Sequence, residues 1–194
     1  MLGLIGGVVG TAAALTAVHF GNISISADGR RLAYMVWDDS ACTPTSGSGC
    51  AVPDIWTVDA DGSAQRKVLD NAFQPRWSPD GSKLLFPRYE ANPDLATLSV
   101  YLAQSDGTGV RELVRAALWG SPGVPPAWSP TGRTIVYGET LGASVHVTRL
   151  STVTADGRHR RTLTSGVAPA WAPDGSRIAF TRTSGIWVIP SRGG

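Results

Sequence analysis

Histidines at 19, 146 and 159, cysteines at 42 and 50, and the acidic turn Asp59-Ala60-Asp61-Gly62 are the residues whose types and spacing could do chemistry. Imidazoles bind metals and move protons, but only when several converge. His19, His146 and His159 are dispersed, and no companion set of ligands surrounds any of them. The Asp59–Gly62 turn has the opening of a calcium loop. It lacks the further acidic positions and the Glu at the twelfth, so it reads as a turn. Cys42 and Cys50 flank Thr-Pro-Thr-Ser-Gly-Ser-Gly, a segment flexible enough to close a ring. In an oxidising compartment they would form a disulfide worth about 2–3 kcal/mol in the chain-entropy picture. In a reducing one they are two free thiols. A metal pair would need a second Cys/His pair. Neither a Gly-x-Ser-x-Gly elbow nor a phosphate-binding Gly-x-x-x-x-Gly-Lys-Ser/Thr loop occurs. The chain therefore reads as a protein that is not an enzyme and takes no cofactor or metal.

Charge excludes another class. The formal net charge is +2, and Lys67 and Lys83 are the only lysines. His159-Arg160-Arg161 is the nearest approach to a basic cluster. A nucleic-acid surface needs a basic stripe, so no nucleic-acid partner is expected.

The elements that must carry these residues are short. In 194 residues there are 23 glycines, 13 prolines and seven tryptophans. Many turns and many large rings point to short strands joined by tight connections. The start differs: Met1 to Val18 holds no charged residue, and Ala12-Ala13-Ala14 offers a small-residue cleavage site. That is the composition of a secretory signal or a membrane anchor, although no Lys or Arg precedes it. A first buried strand around Val8, Val9 and Val18 is a second reading, and a misplaced start codon a third.

Beyond this start the chain repeats. Ile25-Ser26-Ala27-Asp28-Gly29, Trp77-Ser78-Pro79-Asp80-Gly81, Trp128-Ser129-Pro130-Thr131-Gly132 and Trp171-Ala172-Pro173-Asp174-Gly175 align without gaps. Their glycines are separated by 52, 51 and 43 residues. Pro75, Pro126 and Pro169 each precede a Trp by two positions. Pro presets φ, Asp bonds its own backbone and Gly takes the positive-φ position, so each copy is a turn. An apolar run ending in an aromatic follows, as in Leu84-Leu85-Phe86 and Ile178-Ala179-Phe180. The large Trp belongs between neighbouring sheets.

A second motif falls between these copies. Asp54-Ile55-Trp56-Thr57-Val58-Asp59-Ala60-Asp61-Gly62 is echoed at 100–107, 153–157 and 186–193, and a further strand follows each of the first three. Strand, turn, strand, loop, strand, turn, strand makes a four-stranded antiparallel meander of about 45–50 residues, the size of a propeller blade. The predicted fold is all-β, a propeller of about four such blades, the last one incomplete. The boundaries are 1–19 for the signal or anchor and 20–194 for the propeller. The blades fall at about 21–70, 71–117, 118–166 and 167–194.

Pro-x-Trp-Ser-Pro-Asp-Gly, then Ile-Trp-x-x-Asp-x-Asp-Gly, then a basic residue and Leu-Thr, resembles the repeat of TolB-like propellers, over about Gly21 to Gly194. The resemblance implies the fold strongly and a function weakly, since such blades serve many purposes. In relatives they work in the periplasmic Tol system, as the non-catalytic gate of prolyl-oligopeptidase-like enzymes, and as extracytoplasmic sensors. Some are lyases with clustered histidines and a metal, which the dispersed histidines do not match. Two positions depart from the pattern: Ile25 stands where the other copies have Trp, and Thr131 where they have Asp. The fourth blade stops at Gly193-Gly194, where its outer strand should begin, and relatives close with six blades. Truncation or an open arc is the expectation. An open edge invites self-association.

A meander puts the short turns at one end and the variable loops at the other. Variable loops on a rigid scaffold are where binding resides. The candidates for partner contact are Trp119, Tyr89, Arg88, Asp38 and Asp39. The expected function is a non-catalytic scaffold for a protein or peptide, outside the cytoplasm (periplasmic, secreted or attached to a membrane through residues 1–18). The alternatives are the gating propeller of a serine peptidase and the sensor domain of a membrane signalling protein.

Overall fold

Each turn of the first motif is closed by its own side chains. In the second copy Ser78 Oγ donates to Asp80 Oδ1 at 2.6 Å, the Ser82 amide donates to the same oxygen at 3.0 Å, and the Lys83 amide donates to Ser78 Oγ at 2.9 Å. Ser26 and Asp28 repeat the arrangement. Where Thr131 replaces Asp, the hydroxyls of Ser129 and Thr131 lie 3.2 Å apart and the Thr134 amide still donates to Ser129 Oγ. Gly81 has φ +67°, the left-handed region that a side chain resists.

The computed structural model describes residues 18–38, 53–89, 98–115, 125–140, 148–182 and 185–193. Among them the turns organise four antiparallel sheets and no helix. Blade A runs β1 (Val18–Ile25), β2 (Arg31–Asp38), β3 (Asp54–Asp59) and β4 (Arg66–Leu69). Blade B runs β5 (Arg76–Trp77), β6 (Lys83–Tyr89), β7 (Leu98–Gln104) and β8 (Arg111–Val114). Blade C runs β9 (Ala127–Trp128), β10 (Thr134–Thr140), β11 (Thr148–Thr154) and β12 (Arg160–Ser165). Blade D has three strands among the described residues, β13 (Val167–Trp171), β14 (Arg177–Arg182) and β15 (Gly185–Pro190). In every blade the sheet order is the chain order, the up-and-down meander of a propeller. This is the expected fold, with its three-stranded last blade. Val18 and His19, at the end of the apolar start, pair with Asp38 and Trp37 in blade A.

The core lies between blades. Ala33, Ile55 and Leu69 of blade A meet Trp77, Leu84 and Phe86 of blade B. Leu85, Val100 and Leu102 of blade B meet Ile135, Tyr137 and Val153 of blade C. Alternation along each strand sends successive side chains to opposite neighbours, so both faces of an inner blade are apolar. First strands of neighbouring blades lie side by side, β1 against β5 and β9 against β13, which places them towards the common axis. The tryptophans sit between the sheets as expected: Trp128 Nε1 donates to the Arg76 carbonyl and Trp171 Nε1 to that of Ala127.

Candidate functional site

The two ends of the meander are chemically different. At the turn end, the second turn of each blade is bonded to the first. The amides of Ala60, Ser105, Ala155 and Ser191 donate to the carbonyls of Arg30, Ser82, Arg133 and Ser176. The aspartates there are engaged as well. Asp61, Asp106 and Asp174 each accept the hydroxyl and amide of the residue two positions on, Ser63, Thr108 and Ser176. These bonds hold each carboxyl below its ordinary value. These turn amides and carboxyls are taken up by hydrogen bonds within the turns, and on blade A the two turns line a cavity between Asp28, Arg30, Arg31, Asp59 and Asp61.

The other end gathers the ends of β2, β6 and β10. Asp38 ends β2, and Arg88 and Tyr89 end β6, so three of the sequence candidates reach this end of neighbouring blades. Arg88 is the best defined of them. Its register partner is Ser99 on β7. Its guanidinium lies 5.4 Å from the centre of the Tyr101 ring and 5.6 Å from that of Phe86, two rings stacked on each other at 5.9 Å. Nη2 donates to the Asp70 carbonyl of blade A at 2.9 Å. Arg88 Nε and Ser99 Oγ are buried without a hydrogen-bond partner, a costly state for two polar atoms unless something else meets them.

Beside Arg88 runs a polar seam that sequence reasoning did not single out. Lys67 bridges Asp70 at 2.6 Å and Asp54 at 3.2 Å. The bonds from Asp70 and then Asp54 raise the Lys67 pKa. The Asn71 amide donates to the other Asp54 oxygen. The connector that follows is pinned: the Ala72 and Phe73 amides donate to the carbonyls of Pro53 and Pro87, and the Gln74 amide to Met35 Sδ. Asn71 and Gln74 both hold positive φ. Arg88 therefore projects from a rigid joint between blades A and B. The seam's sequence signal was the pair of lysines, of which one, Lys67, falls at a blade junction.

A second missed cluster lies within blade C. Glu139 is buried, pairs with Arg160, and accepts the hydroxyl of Ser151. Arg160 lies over the Tyr137 ring at 5.6 Å, and burial pushes the Tyr137 hydroxyl up to about 12. The signal was an acid closing an otherwise apolar strand, Thr134-Ile135-Val136-Tyr137-Gly138-Glu139.

Trp119, Asp39, Cys42 and Cys50 lie outside the described residues, as do the side chains of Asp38 and Tyr89. Among the described residues no three His, Cys, Asp or Glu side chains come together as metal ligands would.

No family model and no curated protein matches the sequence. Solved structures do. An oligogalacturonate lyase in complex with manganese superposes with a TM-score of 0.69 at 18% identity, over 93% of this chain and 52% of the lyase. TolB from Acinetobacter baumannii does so at 0.66 and 16%, over 89% of this chain and 41% of TolB. Acylaminoacyl peptidase from Pyrococcus horikoshii gives 0.65 and 13%, over 92% and 31%. The fold is that of a TolB-like propeller. The chain spans about a third to a half of the length of these three structures. At such identities the likeness carries the fold, and an enzyme and a TolB sharing it says nothing of activity. In this TolB-like propeller the turn-end carboxyls of Asp61, Asp106 and Asp174 are bonded within their own turns, and the loop end carries the unpaired donor of Arg88.

Proposed function

We propose that this chain is a non-catalytic TolB-like scaffold that binds a protein or peptide across its loop end, outside the cytoplasm. The observation that carries the reading is Arg88. Its guanidinium is fixed by a carbonyl and two stacked rings and still holds a buried donor, Nε, without a partner. A pre-positioned Arg beside aromatic rings is the composition of a binding hot spot. The guanidinium's outer N–H groups would donate to a carboxylate or carbonyl of an incoming peptide. Asp38 and Tyr89 end strands beside it, and from the sequence Trp119 and Asp39 are the further candidates for such a partner. The extracytoplasmic reading draws on the apolar start and on Cys42 and Cys50 as a disulfide.

Peptides selected on the full chain from a random display library test this. Arg88→Ala should weaken the selected binders by about tenfold or more, about 1.4 kcal/mol, and Trp119→Ala by about 2 kcal/mol or more. Arg30→Ala, at the turn end, should leave affinity unchanged. Binders indifferent to both loop-end substitutions would remove the site.

A second reading has one observation in its favour. The acylaminoacyl peptidase of Pyrococcus horikoshii has a segment that superposes on 92% of this chain. The chain would then be a gate that controls access to a peptidase rather than a receptor. A Ser-Asp-His domain encoded beside it would favour that reading.

A further inference from the structure

The repeat allows one level of the loop end to be compared between blades B and C, the inner four-stranded blades, each with a described blade on either side. Two residues past Phe86 and Tyr137 stand Arg88 in blade B and Glu139 in blade C. Opposite them on the third strand are Ser99 and Arg149. Arg149 thus shares a sheet face with Glu139, at a separation of about 5 Å between the Cβ atoms of such a pair.

Glu139 is nevertheless engaged elsewhere. One of its oxygens accepts the Ser151 hydroxyl, and the other pairs with Arg160 on β12. Two guanidiniums therefore stand at one buried carboxylate. The one left over, Arg149, is half-buried and has no ion pair or side-chain hydrogen bond among the described residues. Arg160 is 47% exposed, so its outer N–H groups also reach solvent.

The neighbouring junction is balanced. Around Arg88 the cations are Lys67 and Arg88, and the carboxylates are Asp54 and Asp70. Arg115, past the end of β8, pairs with Glu112. Arg149, Arg160 and Glu139 by contrast carry one positive charge more than negative. Covering such a guanidinium costs its hydration unless an acceptor replaces the water. A carboxylate does so best, because it returns the charge and can meet the planar fork with two parallel bonds.

We propose that the partner of the loop end presents a carboxylate to Arg149, beside the outer N–H groups of Arg160, while Arg88 one junction away takes a second group of the same partner. This rests on the loop-end reading above and makes it specific: the ligand is an acidic peptide. Packed sheets lie about 10 Å apart, so the two groups are separated by a distance on the order of 10 Å, which an extended peptide spans in about three residues.

Peptides selected on the full chain, and shown to need Arg88, test this. Each Asp or Glu of such a peptide is changed to its amide, and affinity is measured on wild type and on Arg149→Gln. One acid-to-amide change should weaken binding to wild type by about tenfold or more. Arg149→Gln should weaken the parent peptide equally, and on that variant the same peptide change should cost nothing further. Arg149→Lys should recover part of the affinity, which a loss of fold would not allow. Peptides that need Arg88 and bind Arg149→Gln as they bind wild type overturn the proposal and leave the loop-end reading standing. Acid-to-amide changes without effect on wild type overturn it too, in favour of a carboxylate from the chain's own loops, Glu90 or Asp94. Binders indifferent to both Arg88 and Trp119 remove the loop-end reading itself, and this inference with it.

Discussion

Trp171 reaches out of its own sheet and donates its indole N–H to the main-chain carbonyl of Ala127, 3.2 Å away in the preceding blade. Ala127 lies one residue before Trp128, which makes the same bond to Arg76 at 3.4 Å. The blades are thus joined by a repeated side chain to main chain bond as well as by apolar packing. Trp77 is the variation: it is buried against blade A under the Arg31 guanidinium, 4.5 Å from its ring, and its indole N–H has no partner.

That difference predicts a contrast. Trp77→Ala should destabilise the chain by about 3–5 kcal/mol, the cost of emptying a buried aromatic site. Trp77→Phe forfeits no hydrogen bond, whereas Trp171→Phe gives one up, about 1 kcal/mol. Urea midpoints of the variants check the order. A Trp171→Phe variant as stable as Trp77→Phe would mean that the indole bond contributes nothing.

The turns predict acid sensitivity. Hydrogen bonds from Ser78 and then Ser82 hold the Asp80 carboxyl down at about 2, against an ordinary 3.8. A depressed carboxyl stabilises the fold above its unfolded value and loses that contribution as pH falls from about 4 towards 2. Asp28, Asp61, Asp106, Asp156 and Asp174 are shifted in the same direction. The urea midpoint should fall steadily across that window, and Asp80→Asn should flatten the fall. A midpoint independent of pH between 4 and 2 would contradict this account of the turns.

A disulfide between Cys42 and Cys50 predicts that a thiol-reactive probe labels neither residue of the exported protein until reductant is added. Labelling of both without reductant would contradict the extracytoplasmic reading. Removing the link should cost at most about 2–3 kcal/mol, as expected for a short closed loop.

The blade count, the turns and the interblade tryptophans could be read from the chain because each depends on a few adjacent residues. Ser78, Asp80 and Gly81 specify a turn by bonds within five positions. Strand order followed from the short connections. The exposure of β15 could not be read, because Ile186 and Ile55 occupy the same motif and differ in whether a fourth strand is paired beside them among the described residues. The Glu139–Arg160 pair was hidden for a related reason: 21 residues separate its members, and only the pairing of β10, β11 and β12 brings them together. Arg88 was named as a candidate from its place beside a loop. Its stacking on Phe86 and Tyr101, and its bond across to Asp70, required the junction of two blades to be seen.

The most direct test of the loop-end account is a ¹H–¹⁵N correlation spectrum of the labelled chain, recorded with and without a peptide selected on it. The account predicts that the shifts gather on the amides of Asp38, Asp70, Asn71, Arg88 and Tyr89, and that those of Asp28, Asp61, Asp80 and Asp106 stay still. Shifts centred on the turn-end aspartates, with Arg88 and its neighbours unmoved, would contradict it.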